Sequence, residues 1–219
     1  MLDAMPAARN NAEWCDLVCR THGIETAFTD HVWSALSRSP AFYPDAVTLS
    51  PLASARDVLS RIDTSPGCSV KDSFATLDLT KHGFHVLFEA EWIHRPAAAP
   101  GRAPMWTLLR KAADLQAWNL GDVLQPSLLD NTDVAVMASY RGDTVVSGAI
   151  ANRTGRIVGL SNVVTTTGDR DRAWAGAVNA VAVHFPGLQI VGYEHGADLV
   201  AAHRAGFAGT GPLRVWLKD

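Results

Sequence analysis

The sequence predicts an α/β protein: a mixed, mostly antiparallel central sheet with flanking helices, preceded by a largely helical N-terminal extension. Three observations predict it. Residues 157–217 read as strand, loop, helix, strand, helix, strand almost without a gap. Residues 133–165 hold three strand-like runs joined by short turns, which favours antiparallel pairing. Residues 11–38 carry Trp14, Leu17 and Val18, then Val32, Trp33 and Leu36, as the apolar anchors of two helices broken at Thr21-His22-Gly23.

Residues 39–44 form a connector with two aromatics, Phe42 and Tyr43. Residues 46–49 read as a short strand and 54–62 as a helix, followed by the turn Ser65-Pro66-Gly67. Residues 84–94 suit a strand in which Val86, Phe88, Ala90 and Trp92 alternate with Leu87, Glu89 and Glu91. The Pro-, Ala- and Gly-rich run 95–104 is the best linker in the chain. The expected division is therefore 1–100 for the extension and 101–219 for the main domain. The extension faintly echoes that domain. Lys81-His82-Gly83-Phe84 precedes a Trp-bearing strand, as Arg204-Ala205-Gly206-Phe207 precedes the strand holding Trp216. The extension is either a shrunken half-repeat or a chance likeness.

Beyond the linker, residues 106–110 suit a strand and 112–118 a helix with Leu115 and Trp118 on one face. Residues 133–140 and 144–151 suit a hairpin turned at Arg141-Gly142-Asp143. Asn152-Arg153-Thr154-Gly155 then turns the chain into a strand at 157–165. The polar loop Thr166-Thr167-Gly168-Asp169-Arg170-Asp171-Arg172 enters an apolar helix over 173–185. There Trp174, Ala177, Val178, Val181 and Phe185 recur at helical spacing, and Pro186-Gly187 marks the stop. A strand at 188–193, a helix at 197–205 and a strand at 213–217 follow, with Gly206 suited to the left-handed position after a helix. A loop with two arginines at a helix N-terminus, fed by a buried strand, suits an anion. Free backbone N–H groups and the helix dipole both favour negative charge there.

This order of elements resembles the second half of the GNAT superfamily of N-acetyltransferases, over roughly residues 104–219. In that family the strand-to-helix loop has the form Arg/Gln-x-x-Gly-x-Gly/Ala and holds the pyrophosphate of acetyl-CoA. The matching run here is Arg170-Asp171-Arg172-Ala173-Trp174-Ala175, with Ala173 in place of the first glycine. The family's later signature, a helix ending in Gly-Phe, is kept as Gly206-Phe207. The tyrosine that commonly protonates the departing thiolate is replaced by Ala202. The resemblance implies acetyl-CoA, or another acyl-CoA, as co-substrate and an amine on a small molecule or peptide as acceptor. It implies that Asn162, Val163 and Val164 meet the pantetheine arm through their backbone. It implies that Thr166, Gly168, Arg170, Arg172, Ala173, Trp174 and Ala175 surround the phosphates, Trp174 being either a lid or a core anchor of its helix.

Glu194 and His195 follow the strand at 188–193, where open α/β sheets hold their ligand crevices. Glu194 suits a base for the amine proton, His195 titrates in a useful range, and His203 is the remaining acid candidate. Ala173 and Ala202 support a rival reading, a catalytically silent CoA- or ligand-binding pseudoenzyme of the same fold. A third is a purely structural or oligomerising module, built from the degenerate sheet and the aromatic N-terminal segment. Separately, the apolar N-terminal region suits a homodimer. His82, His85 and His94 lack a carboxylate or thiol in register, so no metal is expected. A net charge of −3 argues against an obligate nucleic-acid partner. No apolar run reaches the length of a membrane span. The first residues lack a signal-peptide pattern, and three cysteines without a Cys-x-x-Cys pair suggest buried, reduced thiols in a cytoplasmic protein.

Overall fold

The structure, a computed structural model, describes residues 3–101, 106–117 and 123–219. In chain order the elements are α1 (Met5–Thr21), β1 (Thr26–Phe28), β2 (Val32–Ala35), β3 (Ala46–Thr48), α2 (Ala55–Leu59), β4 (Ser69–Asp72) and β5 (Phe84–Arg95). There follow β6 (Thr107–Leu108), α3 (Ala112–Ala117), β7 (Val134–Arg141), β8 (Thr144–Thr154), β9 (Ile157–Thr165), α4 (Arg170–His184), β10 (Gln189–Glu194), α5 (Gly196–Arg204) and β11 (Ala208–Lys218). The chain divides into two compact units, Met1–Trp92 with Thr210–Asp219, and Ile93–Gly209.

In the first unit β1, β2 and β3 form an antiparallel meander; β3 and β4 are parallel, and β4 and β11 antiparallel. One helix stands where two were expected, because residues after Gly23 form β1 and β2 instead. All four residues of β2 are buried, so the strand shows no alternation, and a short apolar run of this kind reads alike as buried helix or buried strand. The helix α1 lays Cys15 and Cys19 against Trp33, Val47 and Leu49. Ser54 caps α2 in a reciprocal pair with Asp57, which fixes where that helix begins. All three cysteines are buried and unpaired. Burial, first of all, pushes the Cys15 and Cys68 thiols up to about 12, so they stay protonated and unreactive.

In the second unit β6, β7, β8 and β9 are successively antiparallel, and β10 is parallel to β9. The helix α4 packs on β7, β8 and β9. Its Trp174, Ala177 and Val181 share a core with Val158, Leu160 and Phe207, and Trp174 meets the Phe207 ring edge-on with centroids 5.5 Å apart. Asp169 caps α4, which starts the helix at Arg170, earlier than the spacing of apolar residues suggested. Gly206, at φ 93°, ends α5 as expected; its N–H reaches the His203 carbonyl and the Phe207 N–H that of Ala202. The turn expected at 152–155 falls later, at Gly155-Arg156, because β8 continues to Thr154. Trp118 and the end of the linker lie outside the described residues. Among the described residues no helix is long and apolar enough to cross a membrane.

Candidate functional site

The site is built at the C-terminal ends of β9 and β10. These strands pair in parallel from Gln189↔Ile157 to Val191↔Gly159. Gly192 follows, where a Cβ would stand 2.6 Å from the Leu160 carbonyl oxygen. The ladder ends there, and neither residues 162–165 nor residues 193–194 belong to it. A bulge coincides with this point. Gly148 faces Val164 while Ile150 faces Ser161, and Asn162 takes φ 53°. A bulge bends and twists its strand, so β9 is redirected where its pairing to β10 stops. Beyond the end of the ladder Asn162 and Val164 are exposed and Val163 is buried.

The loop after β9 is held by its own polar groups. Thr166 N–H donates to the Val146 carbonyl at 3.0 Å, and Gly168 sits at φ 77°. The Asp169 carboxylate accepts the Arg172 N–H at 3.0 Å, so the first turn of α4 already faces an anion of its own. Arg170 is paired with Asp198 at 3.2 Å, and Asp171 with Arg204 at 3.1 Å. Arg172 instead lines a cavity of about 510 Å³, with Arg141, Tyr140, Trp106, Thr167 and Asp169. Ala173 and Trp174 are 2% and 1% exposed and face the core, so Trp174 anchors its helix rather than covering the loop. Ala175 lines a second cavity, of about 280 Å³, beside Asn179 and Gly101.

Trp106 lies directly on α4. A Cβ at Gly176 would stand 2.2 Å from its indole Nε1. Gly176→Ala is therefore expected to swing Trp106 off the helix. Alanine's higher helix propensity, worth about 1 kcal/mol, offsets part of the lost packing. The expected result is a shifted tryptophan emission with a melting temperature changed by only about 2–4 °C.

Glu194 ends β10, partly buried. Burial, and then the Asp198 carboxylate, push it from 4.5 up to about 8. The structure thus gathers Glu194, Asp198 and Arg170 at one place, with Arg170 neutralising the residue that repels Glu194. His195 is the N-cap residue of α5 and makes no side-chain cap bond. His203 Nδ1 lies 3.1 Å from the Phe207 carbonyl oxygen; a carbonyl only accepts, so Nδ1 donates this bond. Ala202 is fully buried in the core. Among the described residues no group of three or more His, Cys, Asp or Glu is placed to hold a metal. His94 bonds Gln189, and His85 lies 3.3 Å from Asp219. Sequence reasoning missed Asp198, Arg141, Tyr140 and Trp106. Only Asp198 left a trace, in the first turn of the helix that follows Glu194.

No family model and no curated protein matches the sequence. Solved structures match it over nearly its whole length. A GCN5-related N-acetyltransferase from Kribbella flavida superposes with a TM-score of 0.63 at 13% identity, covering 97% of this chain and 95% of that one. A GNAT-family protein from Novosphingobium aromaticivorans gives 0.61 at 13% identity, covering 97% and 99%. A GCN5-related N-acetyltransferase-like protein from Streptococcus suis gives 0.58 at 15% identity, covering 99% and 98%. The chain has the GNAT fold, and the likeness extends well beyond residues 104–219.

Proposed function

We propose that this chain, which has the GNAT fold, is an acyl-CoA-dependent N-acyltransferase. It moves an acetyl or other short acyl group from the CoA thioester to an amine of a small molecule or peptide. The observation that carries this reading is the end of the β9–β10 ladder short of Glu194, a carboxyl raised to about 8. The pantetheine arm would lie along Asn162, Val163 and Val164, whose edge toward β10 is outside the ladder. The phosphates would lie at Thr166, Gly168 and the first turn of α4. To do so they must compete with Asp169 for that turn, and Arg170 must release Asp198 to reach them.

The chemistry needs one proton moved and two reactants aligned. The lone pair of the neutral amine attacks the thioester carbonyl and the C–N bond forms. Glu194 takes the proton the nitrogen then sheds, directly or through water, and collapse of the tetrahedral centre breaks the C–S bond. CoA leaves as a thiolate and is protonated from solvent or by His195 or His203. Loss of the family's tyrosine at Ala202 is tolerable, because an alkyl thiol of pKa about 8.5 departs as an anion far more readily than an amine. Orientation along the strand edge supplies much of the remaining rate. The three buried, unpaired thiols support a reducing, cytoplasmic setting.

A second reading, a CoA- or ligand-binding pseudoenzyme, is favoured by the Asp169 carboxylate at the helix end and by Ala202 in the core. Two measurements separate them. Calorimetry is expected to give acetyl-CoA binding in the range of about 1 µM to 1 mM, and thiol release over a panel of amines should follow. Binding without release at any amine supports the pseudoenzyme; no binding ends both. Arg172→Ala is expected to weaken acetyl-CoA by about tenfold, the scale of one charge-assisted hydrogen bond. Arg170→Ala is expected to weaken it less, because Arg170 is engaged with Asp198. Unchanged affinity in the double variant removes the phosphate assignment.

A further inference from the structure

We propose that the cavity walled by the start of α4, the end of the β7–β8 hairpin and Trp106 binds an oxyanion, the phosphate or carboxylate of a small organic ligand, separately from acyl-CoA. Its volume, about 510 Å³, is that of a small-molecule site. Among the described residues, the guanidiniums of Arg141 and Arg172 and the carboxylate of Asp169 line it. That carboxylate is turned to the Arg172 N–H, and the neighbouring Asp171 and Asp198 are paired with Arg204 and Arg170. Ser139, Ser147 and Thr167 add hydroxyls. Tyr140 adds a phenol that burial, and then Asp114, hold above its usual range, so it remains an O–H donor. The lining is rich in donors and cations, and arginine forks match the planar oxygens of a carboxylate or phosphate. Trp106 and Tyr140 also line the cavity, and aromatic rings suit the organic part of such a ligand.

The backbone explains why these side chains converge. Ser139 pairs with Ser147 while Tyr140 pairs with Val145, so Val146 is the extra residue of a bulge. Its carbonyl accepts from Thr166 N–H at 3.0 Å and Thr165 Oγ1 at 3.2 Å, which ties the loop before α4 to the hairpin. Bulges re-aim side chains beside sites. The cavity stands over β7 and β8, on the opposite side of β9 from β10, whereas the proposed acyl-CoA cleft opens between β9 and β10. These lining residues suit an oxyanion whether or not the chain transfers acyl groups.

The test is calorimetry of the full chain with inorganic phosphate, phenyl phosphate and benzoate, with phenol as the uncharged comparator, at fixed ionic strength. Arg172 is shared with the acyl-CoA assignment, so Arg141 carries the experiment. At least one anion is expected to bind where phenol does not, and the tighter of phosphate and carboxylate identifies the class. Arg141→Ala and Arg141→Gln are each expected to weaken that anion by about tenfold and to leave acetyl-CoA affinity within about twofold. No anion binding to the wild type, equal binding by both variants, or displacement of the anion by CoA overturns the proposal; displacement would make the cavity part of the cofactor groove.

Discussion

Glu194→Gln is expected to lower turnover by about 10²–10⁴-fold while leaving acetyl-CoA affinity nearly unchanged, the signature of a lost general base. Glutamine keeps the size of the side chain and removes its capacity to take a proton. The pH dependence sharpens the test. With Glu194 raised to about 8, first by burial and then by Asp198, its basic form is a minority at neutral pH. The rate is therefore expected to rise with pH and level off above about 8. Asp198→Asn removes the like charge and should move that limb toward acid, by less than the full displacement because burial is the larger cause. Stability runs the other way. Between the ordinary value of 4.5 and about 8 the native state holds a proton that the unfolded chain has lost. The stabilisation from this group is thus complete below the lower value and gone above the upper one. Initial rates of thiol release across about pH 6–10, for wild type and both variants, decide it. A Gln variant that keeps the wild-type rate, or keeps the rising limb, removes Glu194 from the proton path.

The alternation of strands and helices over residues 133–217 was legible because each element there carries its own period and its own stop. Pro186-Gly187 and Gly206 ended helices for local steric reasons that needed no tertiary partner. The segment carrying Val32-Trp33-Ser34-Ala35 was not legible, since complete burial erases the two-residue alternation that marks a strand. The strand β4 was hidden by its polarity. Lys71 and Asp72 are buried, and Asp72 is satisfied by the Leu77 N–H at 2.8 Å, a partner that sequence pattern does not reveal. At the site, Glu194 was expected just past a strand and is the last residue of β10, and its raised pKa depends on burial and on Asp198. Arg141, Tyr140 and Trp106 reach the cavity beside Arg172 from segments well separated in the chain, which no local motif joins. Asp169 cut against a simple phosphate loop, because the residue that starts α4 also occupies the N–H that a ligand would use.

Gly192→Ala is expected to destabilise the protein by about 1–3 kcal/mol and to impair catalysis more than its size suggests. The added methyl would stand 2.6 Å from the Leu160 carbonyl oxygen, a backbone atom that cannot rotate away, and 3.8 Å from Ile93 Cγ1. One strand must therefore move. Gly176→Ala differs, because there the obstacle is the Trp106 side chain and the indole itself yields. Gly192 immediately follows the last parallel pair, Val191↔Gly159, and precedes Tyr193 and Glu194. Displacing it shifts the point where β9 and β10 part and carries Glu194 with it. A misplacement of about 1 Å at reacting groups costs about 10²-fold in rate. For a chain of this size the stability loss corresponds to roughly 2–12 °C in melting temperature. The check is thermal unfolding together with kcat measured well below the transition. A variant that melts like the wild type and turns over at the wild-type rate would mean that the close approach at Gly192 neither fixes the strand spacing nor sets the position of Glu194.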